Sequence, residues 1–448
     1  MERQNLPRVE VKLAFDQGDG RSAIEQFFIP GQADEAMLKE YARYIAVITN
    51  NRLVTSGCKN YEIEPPALAE LVKQVFSYNI NSYLNYQGQT NGRVSVGDML
   101  RRYHNYQPSL MPDRALEPRL GREPAHILTL NVGQTRFRAG IVRLAEGQLP
   151  EIVSPLIDEP TYLAYNLPGG GNVSAPLSQM VWSAKYLADQ FPGRVDGVGV
   201  SVAARTKAHQ FINIPLGVVR DFDEVEMMLW GMMPNVLSSM FGAVPSVIEN
   251  DGAAQATFYA RALLKAGSLL LLRFGTTLCA SVTDGQGWPV EGFNELNKVI
   301  IDPGDSSGDP YYWGRAGKYL SFSGIIYIAK ALGVERMFPE LADKDMPKRL
   351  PAWLGQGDES QKGIARQVYA RIGAYAAQYV RELRENDYSI NNVALVGSHI
   401  SGPPAEIVAE RINHDLKGKA AVSVLTPDRK YAESGANFGL ALIAGRLI

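Results

Sequence analysis

Five short stretches of this chain carry residues whose types and order could do chemistry or seat a ligand. In VIENDGAAQATFYAR, Val247 to Arg261, a β-branched run ends in Asn250 and Asp251 and passes into a helix of small residues. Gly252, Ala253, Ala254 and Ala256 let that helix pack closely behind the turn, which sets a carboxylate at the lip of a cleft. A carboxylate so placed can take a proton from a substrate hydroxyl, although an Asn-Asp pair can also do no more than cap a helix. Two hairpin turns, Asn131-Val132-Gly133-Gln134-Thr135 and Gly275-Thr276-Thr277-Leu278, offer backbone amides and hydroxyls between apolar strands. Such turns can hold phosphate oxygens or simply reverse the chain. Near the C-terminus, VALVGSHISGPPAEIV (Val393 to Val408) reads as a buried strand ending at Gly397 and Ser398, where a missing side chain leaves room for a flat base or ribose. AESGANFGLALIAGR, Ala432 to Arg446, follows as a helix of small residues able to pack tightly beneath it.

The elements that must position these residues can be read from the pattern. Residues 1–105 form an α+β block, with a hairpin around Asp16 to Gly20 and helical periodicity over Asp34 to Thr49, Pro66 to Leu84 and Val96 to Tyr103. Asn105 to Pro124 holds four prolines without periodicity, so residues 106–125 read as a surface linker. From His126 the texture becomes α/β: a strand-turn-strand unit, a helix over Pro176 to Gln190 and an apolar strand at Asp196 to Ala203. The strands LLLLRF and LCASVTDG and helices over Ser323 to Leu332 and Gly363 to Glu385 repeat that order after Ser268. Two related lobes follow, 126–260 and 261–448.

Bulk composition narrows the function classes. A chain of 448 residues, 46% apolar, can bury a large core. With 45 basic and 47 acidic residues it has no global field favouring nucleic acid or an anionic membrane. Cys58 and Cys279 stand alone, and the five histidines lack ligand spacing, which argues against a disulfide framework or a metal centre built from them. The N-terminus shows no apolar core of signal length, and a cytoplasmic location without membrane partners is the expectation. The stretch 66–104 shows no helix-turn-helix spacing, so nucleic acid is not an expected partner.

Two phosphate hairpins, an Asn-Asp turn between them, a strand-glycine segment and a small-residue final helix together resemble the sugar kinase, Hsp70 and actin superfamily. Within it, VIENDGAAQATFYARA and the preceding VDGVGVSVAARTKAHQFINIPLGVVRDFDE are similar to the ROK family of bacterial glucokinases, sugar kinases and sugar-responsive repressors. The resemblance covers roughly residues 126–448. It implies an α/β, actin-like ATPase (ribonuclease H-like) two-lobed fold carrying an added N-terminal α+β domain. It also implies ATP- and Mg²⁺-dependent transfer of phosphate to a sugar hydroxyl, with Asp251 as the base. Asn250, Glu295 and Asn213 would contact the sugar. Asn131, Gly133, Gln134, Thr135, Gly275, Thr276, Thr277, Gly397, Ser398 and Gly435 would surround the nucleotide. A homodimer is implied as well.

The chain departs from that family's pattern at several positions. Asn131 stands where the first phosphate loop normally has the aspartate that holds the water shell of Mg²⁺, and an uncharged amide attracts the cation less. No metal ligand is therefore expected from the protein, with Mg²⁺ held by ATP and water. The family's Glu-x-Gly-His motif closes here with Asn297 and Lys298. Its cysteine-rich zinc motif is reduced to Trp313 to Gly324, so structural zinc is not expected, and Tyr319 replaces a sugar-binding glutamate. Arg205 and Lys207 could meet an anionic ligand or simply be solvated, and the three aspartates of Asp302 to Arg315 fit turn stabilisation. An alternative follows from these changes: a weak or inactive relative that binds sugar or nucleotide and signals through its N-terminal block.

Overall fold

After residue 124, apolar runs broken by turn residues fold into two sheets with a pair of helices between them. The structure is a computed structural model; it describes residues 8–16, 22–30, 35–56, 60–76, 124–133, 136–161, 174–203, 205–207, 210–213, 224–264, 267–275, 277–290, 296–305, 314–416 and 422–448.

The N-terminal block comprises β1 (Arg8–Asp16), β2 (Ser22–Pro30), α1 (Glu35–Ser56), β3 (Asn60–Glu64) and α2 (Pro66–Phe76). Its antiparallel sheet has the order β2-β1-β3. The expected hairpin is present as the β1–β2 pair, while β3, too short to show a period, was not anticipated. Helical patterns beyond residue 76 and the 106–125 linker up to residue 123 lie outside the described residues.

The first large sheet uses β4 (Ala125–Val132), β5 (Arg136–Leu144), β6 (Glu151–Ile152), β7 (Ile157–Pro160), β8 (Gly197–Val202) and β11 (Ser246–Asn250), in the order β11-β8-β4-β5-β6 with β7 also on β5. A small ribbon of β9 (Arg205–Lys207) and β10 (Gln210–Asn213) follows β8. Strands β4, β8 and β11 are parallel, and their register sets Asn131 beside Ser201 and Ser201 beside Glu249. One step further, Val132, Val202 and Asn250 are aligned. The second sheet repeats the theme with β12 (Leu269–Phe274), β13 (Leu278–Val282), β14 (Asn392–Val396) and β15 (Ser423–Leu425), ordered β13-β12-β14-β15.

Period-2 alternation assigns each face. Leu128, Leu130 and Val132 pack on α3 (Ser174–Gln190) and α4 (Glu224–Ser239), whereas Ile127 on the other face joins the central layer. That layer is α5 (Asp251–Phe258) with α9 (Arg429–Gly445), and it also receives Leu269 and Leu271 from the second sheet. Leu270 and Leu272 point away, into a core with α6 (Phe322–Ala331), α7 (Glu359–Glu385) and α8 (Pro403–Asp415). This layering is the expected two-lobed α/β arrangement. Small residues make the central layer thin enough, since a Cβ on Gly439 of α9 would collide with the carbonyl of Ala254 in α5. Val11, Leu13 and Phe15 of the N-terminal block share one continuous core with the second lobe. No described helix is long and apolar enough to cross a membrane.

Candidate functional site

Carboxyl ends of adjacent parallel strands are where an open α/β sheet exposes polar groups to a ligand. Here β4, β8 and β11 end together, and α5 starts directly from β11. Asn250 caps this helix, its side-chain oxygen accepting from the amides of Gly252 (2.9 Å) and Ala253 (3.1 Å). The capping role therefore belongs to Asn250 and leaves Asp251 in the first helical turn, 6% exposed. A Cβ on Gly252 would collide with the sulfur of Cys279, so only glycine lets the helix start so near β13.

Asp251 does not face an empty cleft. Its Oδ2 accepts a hydrogen bond from Nη1 of Arg273 at 2.9 Å, and its Oδ1 accepts from the Gly252 amide at 3.0 Å. The Cys279 sulfur lies 4.0 Å from the same Oδ1. Arg273 is next to last in the LLLLRF run of β12 and shares the inward face of Leu269 and Leu271, so the pair links α5, which starts from the first sheet, to the second sheet. Burial is the largest influence on the Arg273 guanidinium and alone would lower its basicity, but the charge of Asp251, helped by Cys279, Tyr259 and the hydrogen bond to Asp251, holds the group above its ordinary range.

Neighbouring polar groups are satisfied by one another. Asn131 Oδ1 accepts from the Ser201 hydroxyl at 3.0 Å. The buried carboxylate of Glu249 accepts from the Thr206 hydroxyl and, at 2.8 Å, from the Asn250 amide. The two hairpin turns flank this group. Gly133 donates its amide to the carbonyl of Arg136 at 3.0 Å and accepts from the Thr161 hydroxyl at 2.8 Å. Gly275 lies two residues past Arg273 and accepts from the amide of Phe322 at 2.9 Å. Thr277 continues that turn, while Gln134, Thr135 and Thr276 lie outside the described residues.

Other expected residues fall at varying distances from this centre. Gly397, with φ of +144°, ends β14 against Phe274, where a Cβ would press on the Phe274 carbonyl, and Ser398 enters the following turn. Gly435 faces Gln255 and Tyr259 of the central layer, a place that fits tight helix packing. Asn213 closes β10, with its side chain outside the description, and Glu295 lies outside the described residues altogether. Tyr319 is buried, its hydroxyl donating to Asp302 at 3.0 Å. Sequence reasoning passed over Arg273, Glu249 and Ser201, and took Cys279 only as an unaccompanied thiol. The signal for Arg273 was present as a single cation in an apolar strand.

Such a pair of sheets around two central helices, with turns at the strand ends, defines a two-lobed α/β fold, and the comparisons agree. No protein-family model and no curated protein matches the chain. Solved structures do match, and the chain has the fold of ROK sugar kinases and ROK regulators. The ROK hexokinase of Thermus thermophilus superposes with a TM-score of 0.51 at 19% identity, covering 71% of this chain and 97% of that one. A ROK-family glucokinase from Streptomyces griseus, solved with glucose and AMPPNP, gives 0.52 at 17%, covering 71% and 98%. A ROK-family transcriptional regulator, described as a homologue of the E. coli MLC protein, gives 0.51 at 13% over 90% and 98%. Residues 126–448 make up less than three quarters of the chain, so that last match takes in part of the N-terminal block.

Proposed function

We propose that the protein transfers the γ-phosphoryl group of ATP to a hydroxyl of a sugar or sugar-like acceptor held in the cleft between the two sheets. The observation that carries this reading is the position of Asp251, at the ends of three parallel strands with the turns of Gly133 and Gly275 on either side. Asp251 would accept the proton of the attacking hydroxyl while the turns hold phosphate oxygens in line, since phosphoryl transfer depends chiefly on positioning and charge. Asn250 keeps the helix start fixed, and Glu249 fixes Asn250. For Oδ2 to work as the base, the hydrogen bond from Arg273 has to be exchanged or shared.

Mg²⁺ fits as a companion of the nucleotide. The Asn131 oxygen carries no net charge and already accepts from Ser201, which leaves the nucleotide's phosphates and water to hold the cation in this reading. The reading carries a cytoplasmic location, a homodimer and the division into an N-terminal block and lobes 126–260 and 261–448.

A second reading is favoured by specific observations: a protein that binds the sugar or nucleotide without turnover and reports to its N-terminal block. Arg273 occupies the base, and Asn51 of α1 both donates to the carbonyl of Ile300 (3.0 Å) and accepts from its amide (2.8 Å), beside the segment that follows Glu295.

The test is ADP release with Mg·ATP across hexoses, amino sugars and polyols. Turnover with an acceptor should fall by about 10² to 10⁴ in Asp251→Asn while ATP binding stays within about twofold. Sugar-induced thermal stabilisation without turnover, in wild type and variant alike, selects the second reading.

A further inference from the structure

We infer that the acceptor carries an anionic group, a carboxylate or a phosphate ester, and that Arg273 is the residue that recognises it by exchanging Asp251 for the ligand's oxygens. The inference rests on the reading that the cleft at Asp251 takes a sugar-like ligand, but not on turnover.

The geometry of the pair argues for exchange. Arg273 is the more open partner, with 31% of its side chain exposed against 9% for Asp251, so an entering ligand reaches the guanidinium first. The contact uses one terminal nitrogen, Nη1, whereas a guanidinium presents five N–H donors in a planar fork suited to bidentate binding of carboxylate or phosphate. Arg273 projects from a strand whose four preceding leucines are fully buried, so its backbone is fixed and the guanidinium is presented at one place.

A neutral sugar that displaced Asp251 from Arg273 would leave a half-buried cation facing only hydroxyl groups. That loss opposes binding. An anionic acceptor replaces the carboxylate with its own oxygens and leaves the guanidinium paired throughout. The same exchange clears Oδ2 of Asp251 for an acceptor hydroxyl, so recognition and readiness of the base become one event. Selection against neutral sugars then follows from the unpaired charge they would create.

Calorimetric titration of the full chain with glucose, glucuronate, glucose 6-phosphate and ATP tests this. The anionic sugars should bind at least about tenfold tighter than glucose. That preference should disappear in Arg273→Gln and in the charge-neutral double variant Asp251→Asn/Arg273→Gln, which avoids leaving Asp251 alone. Asp251→Asn by itself should bind the anionic sugar at least as tightly as wild type, because the competing carboxylate is gone. The tighter of glucuronate and glucose 6-phosphate identifies the group as planar carboxylate or tetrahedral phosphate. Equal or tighter binding of glucose, an anion preference that survives in the double variant, loss of ATP affinity with sugar discrimination unchanged, or no sugar binding at all would each overturn the inference. Anion-selective binding without ADP release would leave it standing and remove the phosphoryl-transfer reading instead.

Discussion

Two ion pairs in this chain join the same kinds of groups and differ in how they are enclosed. Lys318 pairs with Asp305 where both side chains are nearly sealed, at 9% and 1% exposure, and Asp305 also accepts from the Gly314 amide at 2.8 Å. Around it, Tyr319 and Tyr375 stack at 4.0 Å and both donate to Asp302. This knot ties 302–305 to 314–319, in the segment where the family resemblance would place a zinc motif. Arg273 and Asp251, by contrast, keep one open side toward the cleft. The sealed pair is closed to a competing anion from solvent and acts as a clasp. The open pair can trade one carboxylate for another, which is what a binding site needs.

Stability separates the two. Lys318→Met should cost about 3 kcal/mol or more in urea unfolding, because Asp305 would stay buried without its cation. Adding Asp305→Asn should recover most of the loss, since the clasp then lacks an unpaired charge. Arg273→Gln should cost less, about 1–2 kcal/mol, because the guanidinium side of the pair is open and the glutamine amide can still donate to the enclosed Asp251. Equal losses for Lys318→Met and Arg273→Gln would erase the distinction drawn here and make the cleft pair a second clasp.

The same contrast explains what the sequence could and could not reveal. Lobes, hairpins and the central helices were legible because they rest on local patterns: alternation in β4 and β5, the four leucines of β12, and the small residues of α5 and α9. The turn role of Asp302 was legible too, as it accepts from the Gly304 amide at 3.1 Å. Asp251 could be singled out by its place after a strand. Its partner could not, because nothing local links Asp251 to Arg273 across two elements, and only the packing of β12 against α5 brings them together. Lys318 and Asp305 are likewise 13 residues apart and meet only through the folded loop. Sharing of a core between the N-terminal block and the second lobe lay beyond local pattern for the same reason.

That shared core supplies a third kind of charge, a half-buried carboxylate held chiefly by amide groups, and the smallest expected effect. Glu382 of α7 accepts from Asn51 of α1 at 3.1 Å and from Gln378 at 2.8 Å. Burial raises its pKa above the usual carboxylate range; the Gln378 bond opposes this, nearby Glu385 adds to it, and Asn51 and the charge of Arg381 lower it again. The folded chain then holds this proton more firmly than the unfolded one. Its contribution to stability is full below the unfolded carboxylate value and is lost as pH rises through the raised folded value. Glu382→Gln removes that titration while keeping an oxygen for Asn51. The difference in unfolding free energy, variant minus wild type, should therefore grow in favour of the variant as pH rises from the ordinary carboxylate range toward neutrality. A difference that stays flat with pH would mean that amide donors stabilise this carboxylate as fully as water does. The contact between the N-terminal block and the second lobe would then owe nothing to the protonation of Glu382.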